Sequence, residues 1–458
     1  MSSIFKAYDI RGIYPTEINE EIAEKIGHAF VVYLNQIPLL GGEGGGEVAT
    51  IKPIVVGRDC RLSSPTIAEA VIRGLRMQGA DVIDCGMVST DLFYFACATE
   101  GKPGIMVTAS HNPKVYSGLK LVKEIPWMIG GGQGMEDIQA LVEAASFPQS
   151  TREGLLQKKE YIGAYRDRVL SFIDPTSVKP LTVVMDAGNG MVGPLIEVVF
   201  KGLPIKIIPL FFEPDGHFPN RGPDPLRPEN RAALEDAVQQ HHADVGFAFD
   251  ADADRCFVVD NTGESIPADF VTALIGEEFA ARYPGAPMIY DVRASWVVRD
   301  RLEKVGARPL MNRVGQTYIK KRMAETNAVF GGELSGHYYF RDFFQVDSAL
   351  ITSLVMIAYL SRHEQSLADI LAPIRAAYHV SGEINSEVHD VPAVFARLKE
   401  RYQDGKQSEL DGLSVDYDRW HFNVRPSNTE PLLRLNLEAK SKEMMEQKRD
   451  EVLRIIRS

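Results

Sequence analysis

The sequence predicts an α/β protein in which three related mixed α/β domains precede a C-terminal domain of α+β type. Three segments, which begin at Lys52, Leu181 and Pro287, follow the same pattern. Each opens with a short β-branched run, as a buried parallel strand does, and continues into a helix-like apolar pattern and a second apolar run. This order is typical of a βαβ unit. Its repetition indicates related domains and not one large sheet.

A polar loop between two apolar runs follows each βαβ pattern, about 45 to 65 residues after the unit begins. The three loops lie in MVTASHNPKVYSGLKLV, VGFAFDADADRCFVVD and AVFGGELSGHYYF. Because loops on a rigid scaffold often carry function, these are candidate sites. The final ~80 residues depart from the repeat, with a strand-rich stretch, the loop RPSNTEP and a lysine-rich terminal helix.

Length and charge limit the classes of partner. The chain has 458 residues, which suggests about three or four domains. A net charge of −12 argues against a nucleic-acid backbone or an anionic membrane as the main partner. The N-terminal residues lack the apolar core of a signal peptide, and the four cysteines show no C-x-x-C spacing. The sequence therefore predicts a cytoplasmic protein without nucleic-acid or membrane partners.

The loop DADADR is a candidate metal site. Asp250, Asp252 and Asp254 stand at every second position, so that in an extended chain their carboxylates share one side. Converging carboxylates need a cation, and Mg²⁺ prefers such oxygen ligands. An EF-hand is excluded, because its glycine and glutamate positions hold Arg255 and Asn261. A solvated acidic loop and an aspartyl-phosphatase nucleophile at Asp250 stay open as alternatives.

Two further loops carry groups that suit a sugar phosphate. In RPSNTEP, a guanidinium, two hydroxyls, an amide and turn N–H groups could clamp a phosphate, although an ordinary turn stays open. In GELSGH, Glu333 and Ser335 could bind vicinal sugar hydroxyls and His337 could move a proton. A glycine-rich turn with a surface histidine is the alternative for that loop.

The serine of TASHNP, Ser110, is a candidate catalytic residue when it is considered together with these loops. Alone, Ser110 reads as part of an Asn/Ser turn before a proline. Near Mg²⁺, a serine can carry a phosphoryl group, since phosphoryl transfer depends mostly on positioning and charge neutralisation. Lys120 and Arg255 could balance the phosphoryl oxygens. At the N-terminus, AYDIRG places Tyr8 and Arg11 beside an apolar run.

The motifs TASHNP, DADADR, GELSGH and RPSNTEP, with FKAYDIRG at the start, resemble the α-D-phosphohexomutase family, most closely its bacterial phosphomannomutase/phosphoglucomutase branch. The likeness covers essentially the whole chain in the family's order. It implies four domains arranged as a heart around a central cleft. The implied domains are 1–157 with the phosphoserine, 158–262 with the metal, 263–377 with the sugar loop and 378–458 with the distal phosphate site.

The resemblance also implies a reaction. Ser110 would pass phosphate to a mannose or glucose 1- or 6-phosphate, and the bound 1,6-bisphosphate would turn and return its other phosphate. Mg²⁺ would be held by a phosphoserine oxygen of Ser110 and by Asp250, Asp252 and Asp254. A hexose 1,6-bisphosphate such as glucose 1,6-bisphosphate would activate the enzyme, which is expected to be a monomer or weak dimer.

Carried over by motif position, the residues at the reacting centre are Ser110, Lys120, Arg11, His337 and Arg255. The implied substrate-binding residues are Tyr8, Arg293, Gln316, Glu333, Ser335, His337, Arg425, Ser427, Asn428 and Thr429.

The chain departs from the family pattern at several positions. Ala251 stands where a glycine is frequent, and Arg293 where a lysine is common. Gln316 stands where relatives often carry a histidine, and glutamine is not a general acid or base at neutral pH. Proton transfer then falls to His337 or Lys120. Leu334 resembles the dual mannose/glucose branch more than the glucosamine branch. A phosphoglucosamine mutase, a Mg²⁺-dependent sugar-phosphate phosphatase and a non-catalytic sensor are the alternatives.

Overall fold

The protein is described by a computed structural model that covers residues 4–36, 53–426 and 432–458. These residues form four β-sheets of seven, five, five and six strands, each with helices packed against it. The first three sheets are mixed and the last is antiparallel, which confirms the predicted fold class. Within the described residues, no helix is long and apolar enough to cross a bilayer.

The first sheet is built by the N-terminal part of the chain. Its elements are β1 (Ile10–Ile13), α1 (Glu20–Gln36), β2 (Ile54–Arg58), α2 (Ser64–Met77), β3 (Val82–Met87), α3 (Thr90–Glu100), β4 (Gly104–Val107), β5 (Tyr116–Glu124), β6 (Trp127–Ile129), α4 (Met135–Ala144) and β7 (Leu156–Lys158). The strand order is β1-β5-β4-β2-β3-β7, and β6 pairs with β5. Strands β3 and β4 run parallel to β2, whereas β5 is antiparallel to β4.

The second sheet repeats this arrangement. Its elements are α5 (Ile162–Leu170), a 3₁₀ turn (Pro175–Ser177), β8 (Leu181–Asp186), α6 (Gly193–Val199), β9 (Ile205–Leu210), a 3₁₀ turn (Pro228–Asn230), α7 (Ala232–Gln240), β10 (Val245–Phe249), β11 (Cys256–Asp260) and β12 (Ser265–Ile266). The order is β12-β11-β10-β8-β9. Here β9 and β10 are parallel to the central β8, and β11 turns back antiparallel to β10.

The third sheet follows the same plan. Its elements are α8 (Ala268–Arg282), β13 (Pro287–Asp291), α9 (Trp296–Lys304), β14 (Arg308–Asn312), α10 (Gln316–Thr326), β15 (Phe330–Gly332), β16 (Tyr338–Phe340), a 3₁₀ turn (Arg341–Phe343), β17 (Val346–Asp347), α11 (Ala349–Arg362) and α12 (Leu367–Ala377). The order is β14-β13-β15-β16-β17. Each predicted polar loop therefore joins a parallel strand to the antiparallel strand beside it.

The fourth sheet is antiparallel, as the break in the repeat predicts. Its elements are β18 (His379–Val380), β19 (Ile384–Glu387), α13 (Val391–Arg401), β20 (Lys406–Ser408), β21 (Leu413–Asp416), β22 (Trp420–Pro426), β23 (Leu432–Ala439) and the lysine-containing terminal helix α14 (Lys442–Ile456). The order is β18-β23-β22-β21-β20, with β19 on β23.

The apolar cores divide the chain unequally. A continuous cluster runs from one face of the first sheet through the second and third units, and includes Phe93, Phe247 and Phe340. The C-terminal sheet packs its own core, for example Phe422 and Leu435, against α13 and α14. In addition to this separate core, the C-terminal and third units contact one another through hydrogen bonds, an ion pair and the stacked rings of Trp296 and His421.

Candidate active site

The three polar loops occupy equivalent places in their sheets, and they meet. The backbone N–H of Thr90, the first residue of α3, donates to the carbonyl of Asp252 at 2.9 Å. Cys256 N donates to the carbonyl of Gly336 at 3.0 Å, and Arg255 forms a β-bridge with His337. The first and second units, and the second and third, are therefore joined by backbone hydrogen bonds at the loops themselves.

Ser110 is held in a conformation that side chains rarely adopt. Its φ is 48°, in the left-handed region, where residues other than glycine are uncommon. Its N–H donates to Thr108 Oγ1 at 2.9 Å, and its Oγ donates to Asp250 Oδ2 at 2.9 Å. His111 Nδ1 lies 3.3 Å from the same Oγ. The turn thus aims the serine hydroxyl at the acidic loop.

Arg61 braces the turn that carries Ser110. This side chain is fully buried, and its Nη2 donates to the carbonyls of Ser110 and Asn112, each at 2.6 Å. Its Nη1 donates to the carbonyls of Pro113 and Tyr116 at 2.9 and 3.1 Å. A planar guanidinium presents several donors in a rigid fork, so one side chain fixes four backbone positions of the loop.

The acidic loop brings its carboxylates together by a turn and not by an extended strand. Residues 250–255 leave the strand, and Ala253 has a φ of 63°. The extended conformation that the alternate spacing suggested is therefore wrong. Asp250, Asp252 and Asp254 do converge, with ligand atoms within 4.8 Å of one another. Burial, with the charges of Asp254 and Asp252, raises the pKa of Asp250 well above its usual range.

Lys120 supplies a fixed positive charge beside this cluster. From β5, its Nζ donates to Asp252 Oδ2 at 2.7 Å and also to Asp254 Oδ2. Burial alone lowers the pKa of Lys120, but Asp252 and Asp254 raise it well above its usual range. Thr90 Oγ1 donates to the same oxygen of Asp252 at 2.6 Å. On the other side, Arg255 Nε lies 3.7 Å from Asp250 Oδ2.

The acidic cluster fits a hard divalent cation. The Oδ1 atoms of Asp252 and Asp254 are buried without a hydrogen-bond partner among the described residues, because Lys120 engages the other oxygens. A buried carboxylate oxygen without a partner is costly. The donor set is all oxygen, which Mg²⁺ prefers. Asp250, Asp252 and Asp254 are thus able to hold this ion next to Ser110.

Arg11 reaches the serine turn from the edge strand β1. Its guanidinium donates to Asn112 Oδ1 and to Asp9 Oδ2. The strand register places Arg11 opposite Gly118 of β5, two residues before Lys120. The basic groups around the Ser110 turn therefore come from β1, β5, the segment after β2 and the second unit.

The sugar-loop residues lie where the first and third units meet. Glu333 Oε1 accepts the N–H of Gly315 at 2.8 Å, and its Oε2 accepts the hydroxyl of Tyr339. Tyr8 donates to the carbonyl of Val314, next to that glycine, at 3.3 Å. Burial and the charge of Glu333 raise the pKa of Tyr8 to about 12. Both carboxylate oxygens of Glu333 are thus oriented by the protein before any sugar binds.

Ser335 lines a cavity of about 300 Å³ between the second, third and fourth units. Arg293, Leu334 and Glu383 line the same cavity. The cavity adjoins the sugar loop but does not include Ser110 or the acidic cluster, so it marks one end of the cleft.

His337 and Gln316 are connected by two buried charged residues. His337 Nδ1 lies 2.7 Å from Asp347 Oδ2 and 3.7 Å from Asp254 Oδ1. Asp347 Oδ1 lies 2.8 Å from Lys320 Nζ, which donates to Gln316 Oε1 at 3.0 Å. Because that oxygen is engaged, the amide N–H₂ of Gln316 is the group left for a ligand.

The structure describes only some of the residues that are predicted to bind the distal phosphate. Arg425, on β22, is buried, and its Nη2 lies 3.3 Å from Glu383 Oε2. Arg293 is held by two hydrogen bonds to Asp291, at 2.7 and 3.0 Å, and its Nη1 also approaches Glu383, at 3.5 Å. The other predicted members of this site, Ser427, Asn428 and Thr429, lie outside the described residues.

Several residues of the site were missed by sequence reasoning, namely Arg61, Thr90, Lys320, Asp347 and Glu383. Arg61 had a usable signal, because the spacing of Asp59 and Arg61 after one strand recurs as Asp291 and Arg293 after another. The others had none, because the fold brings them to the loops from elements distant in sequence.

The chain matches four sequence families in succession. They are described as phosphoglucomutase/phosphomannomutase alpha/beta/alpha domain I at residues 2–149, domain II at residues 159–263, domain III at residues 267–378, and the C-terminal domain at residues 383–455.

Individual relatives agree with these matches. A phosphomannomutase of Escherichia coli is 39% identical over 99% of each chain. Phosphohexose mutases of Xanthomonas campestris pv. campestris are similar at 39% identity, again over 99% of each chain. A crystal structure of a phosphoglucomutase/phosphomannomutase family protein from Burkholderia thailandensis superposes with a TM-score of 0.88 at 34% identity, covering 99% of this chain and 97% of that one. The chain therefore belongs to the phosphoglucomutase/phosphomannomutase family and is a phosphohexose mutase.

Proposed function

We propose that the protein transfers phosphate reversibly between C1 and C6 of mannose and glucose phosphates, through a phosphoserine at Ser110 and a bound hexose 1,6-bisphosphate. The observation that supports this proposal is the presence of two separate groups of side chains suited to binding phosphate. One is the Ser110 turn with Asp250 and Lys120, and the other is the arginine cluster around Arg425. A bisphosphate needs both sites at once, whereas a phosphatase needs only the first.

Each transfer exchanges a phosphoryl group for a proton between a sugar hydroxyl and Ser110. The hydroxyl oxygen bonds to phosphorus, the bond from phosphorus to Ser110 Oγ breaks, and Oγ ends as a hydroxyl. We assign acceptance of the sugar's proton to His337, whose Nδ1 is held beside Asp347. Lys120, Arg11 and Arg255 surround the serine turn and balance the phosphoryl charge.

The remaining groups hold and orient the sugar phosphate. Glu333 would accept hydrogen bonds from sugar hydroxyls, and Ser335 would accept or donate them. The hydroxyl oxygen of Tyr8 would accept a hydrogen bond, and the amide of Gln316 would donate one. Arg293, Arg425, Ser427, Asn428 and Thr429 would bind the distal phosphate. When the bisphosphate has turned, the same groups would hold the other end of the molecule.

Mg²⁺, held by Asp250, Asp252, Asp254 and an oxygen of phosphorylated Ser110, would neutralise phosphoryl charge near Ser110 when bound. Glucose 1,6-bisphosphate, or another hexose 1,6-bisphosphate, would activate the enzyme by phosphorylating Ser110. The division into domains at 157/158, 262/263 and 377/378, a cytoplasmic location and a monomer or weak dimer belong to the same proposal.

The test combines a coupled mutase assay with intact mass. Purified protein is incubated with glucose 1,6-bisphosphate and Mg²⁺, and its mass is compared before and after. We expect a gain of one phosphate group, located on Ser110 by peptide mapping, together with conversion of mannose 1-phosphate to mannose 6-phosphate. Release of inorganic phosphate without isomerisation would instead indicate a phosphatase.

A first prediction concerns the breadth of substrates. Glu333 and Ser335 suit the O3 and O4 hydroxyls, which glucose and mannose share, and among the loops that the structure describes none is assigned to the configuration at C2. We therefore expect kcat/KM for mannose 1-phosphate and glucose 1-phosphate to lie within about 10-fold of each other, a smaller gap than a lost hydrogen-bond partner produces. Parallel initial-rate measurements check this, and turnover of glucosamine phosphate alone would contradict it.

A second prediction concerns Arg61, which does not need to touch the substrate to act. In Arg61→Lys the charge stays, but one ammonium is unable to reach all four carbonyls of the Ser110 turn. We expect kcat to fall about 10²-fold with KM changed little, because a small misplacement of a reacting group has such an effect.

The matched control for that variant is Arg73→Lys, on the exposed face of α2, where Arg73 pairs only with Glu24. Thermal unfolding of both variants separates a loss of folding from a loss of positioning. A kcat within about twofold of wild type for Arg61→Lys would show that the brace is not required.

A further inference from the structure

Glu383 lies at the centre of an arginine cluster that the proposed reaction needs but does not explain. Its Oε2 lies 3.3 Å from Arg425 and 3.5 Å from Arg293, and its Oε1 lies 3.2 Å from Arg434. Asn436 Nδ2 donates to Oε2 at 3.5 Å. The side chain of Glu383 is 20% exposed, so this carboxylate is largely withdrawn from water.

The strand register makes an anion necessary at this point. Arg425 of β22 and Arg434 of β23 are directly opposite one another in an antiparallel pair. Like charges in such positions destabilise a sheet and drive the two side chains apart. Glu383 immediately precedes β19, whose first residue, Ile384, pairs with Leu435 of β23. The pairing of β19 with β23 therefore places the Glu383 carboxylate where the two guanidinium groups meet.

The contacts of Glu383 leave room for a second anion. Each guanidinium meets Glu383 through one terminal nitrogen, at distances longer than the ~2.7–2.9 Å of a charge-assisted hydrogen bond. Among the described residues, the buried Nε of Arg425 has no hydrogen-bond partner. A phosphate can therefore join the cluster while Glu383 stays.

Through its contact with Arg293, Glu383 also links the arginines of the fourth sheet to the third unit. Arg293 is fixed by Asp291 at the end of β13, on the far side of the cleft from β22. Glu383 is the acidic group shared by Arg293 and the two arginines of the fourth sheet. It thus sets the spacing between arginines that belong to different units.

We propose that Glu383 is a positioning residue for the distal phosphate: it holds Arg425 and Arg434 side by side and keeps them next to Arg293, so that the arginines are arranged before the substrate binds. The inference rests on the proposed function for the identity of the anion. Glu383 itself would not contact the phosphate, since both are anions.

The test is the variant Glu383→Gln, which keeps the size of the side chain and removes its charge. We expect KM for glucose 6-phosphate to rise about 10-fold and kcat to stay within about twofold, because the change affects binding at the distal site and not the chemistry at Ser110. The matched control is Glu387→Gln, an exposed residue at the end of the same strand, which should leave both constants unchanged.

A second measurement asks whether charge repulsion is the cause. In the Ser110→Ala background, where turnover is blocked, calorimetry gives the affinity for glucose 6-phosphate and for inorganic phosphate. We expect Arg434→Gln to cost less affinity when Glu383 is already glutamine than when it is glutamate, because removing one arginine then relieves the repulsion. A purely structural role for Glu383 would give additive losses and a lowered Tm.

The outcomes are distinct. Unchanged KM in Glu383→Gln, a fall confined to kcat, or additive losses in the cycle would overturn the proposal. Tighter phosphate binding by Glu383→Gln would also overturn it, because it would make Glu383 a competitor of the ligand. If wild type bound glucose 6-phosphate but did not isomerise it, the proposed function would fail while the binding cycle would still decide the role of Glu383.

Discussion

Ser110→Ala is expected to reduce kcat by more than about 10³-fold and to leave the affinity for glucose 6-phosphate within a few-fold of wild type. The hydroxyl removed is the one that donates to Asp250, and it is the proposed carrier of phosphate. The groups that we propose bind the sugar and the distal phosphate lie on other loops, so the substitution leaves them in place. Initial rates and calorimetry on the same preparation measure the two quantities.

Intact mass supplies the decisive control for this variant. Wild type incubated with glucose 1,6-bisphosphate should gain one phosphate, and Ser110→Ala should gain none. Ser171→Ala, an exposed serine at the end of α5, should behave as wild type in both measurements. Wild-type turnover by Ser110→Ala would remove the phosphoserine assignment.

The second large effect is expected at His337. General acid–base help is typically worth about 10²–10⁴-fold, and we expect His337→Ala to lose kcat/KM within this range. Gln316→Ala should lose only about 10-fold or less, because a neutral amide contributes one hydrogen bond. In the structure the side-chain amide oxygen of Gln316 accepts a hydrogen bond from Lys320, so we assign its N–H₂ as the donor to the substrate.

The informative quantity is the ratio of the losses of kcat/KM in His337→Ala and Gln316→Ala. His241→Ala, at an exposed histidine that follows α7, controls for the substitution itself, and thermal unfolding controls for the loss of a buried ring. A loss above about 10³-fold for Gln316→Ala, with little effect of His337→Ala, would refute this division of labour.

Much of the fold could be predicted because its signals are local and repeated. The β-branched runs, the helix-like patterns and the polar loops recur three times, so each copy supports the assignment of the others. The end of the repeat was visible as well, since β22 and β23 form a strand-rich stretch before α14. Local patterns of this kind fix strands and helices because burial of alternate or periodic apolar side chains decides both.

The site was predictable only where its chemistry is concentrated in one short segment. Asp250, Asp252 and Asp254 are adjacent in sequence, and their convergence follows whether the loop is extended or turned. Asp347 and Lys320 are different, because Asp347 is one acidic residue beside an apolar run and Lys320 is the first of three consecutive basic residues, and neither pattern marks a site. Only the packing of β17 and α10 brings them to His337 and Gln316.

The position two residues after the aspartate at the end of the central strand has a different role in each of the three repeats. In the first unit, Arg61 lies two residues after Asp59 and donates hydrogen bonds to the backbone of the neighbouring hairpin. In the second unit the corresponding position is Gly188, and a side chain there would collide with the guanidinium of Arg221, which comes from elsewhere to bind the carbonyl of Phe249.

In the third unit, the arginine at the equivalent position, Arg293, makes different contacts. Arg293 keeps its bond to Asp291 but extends its remaining nitrogen across the cleft to Glu383. The same position of the repeat therefore fixes the backbone of a hairpin in the first unit and directs a cation across the cleft in the third, with no additional strand or helix.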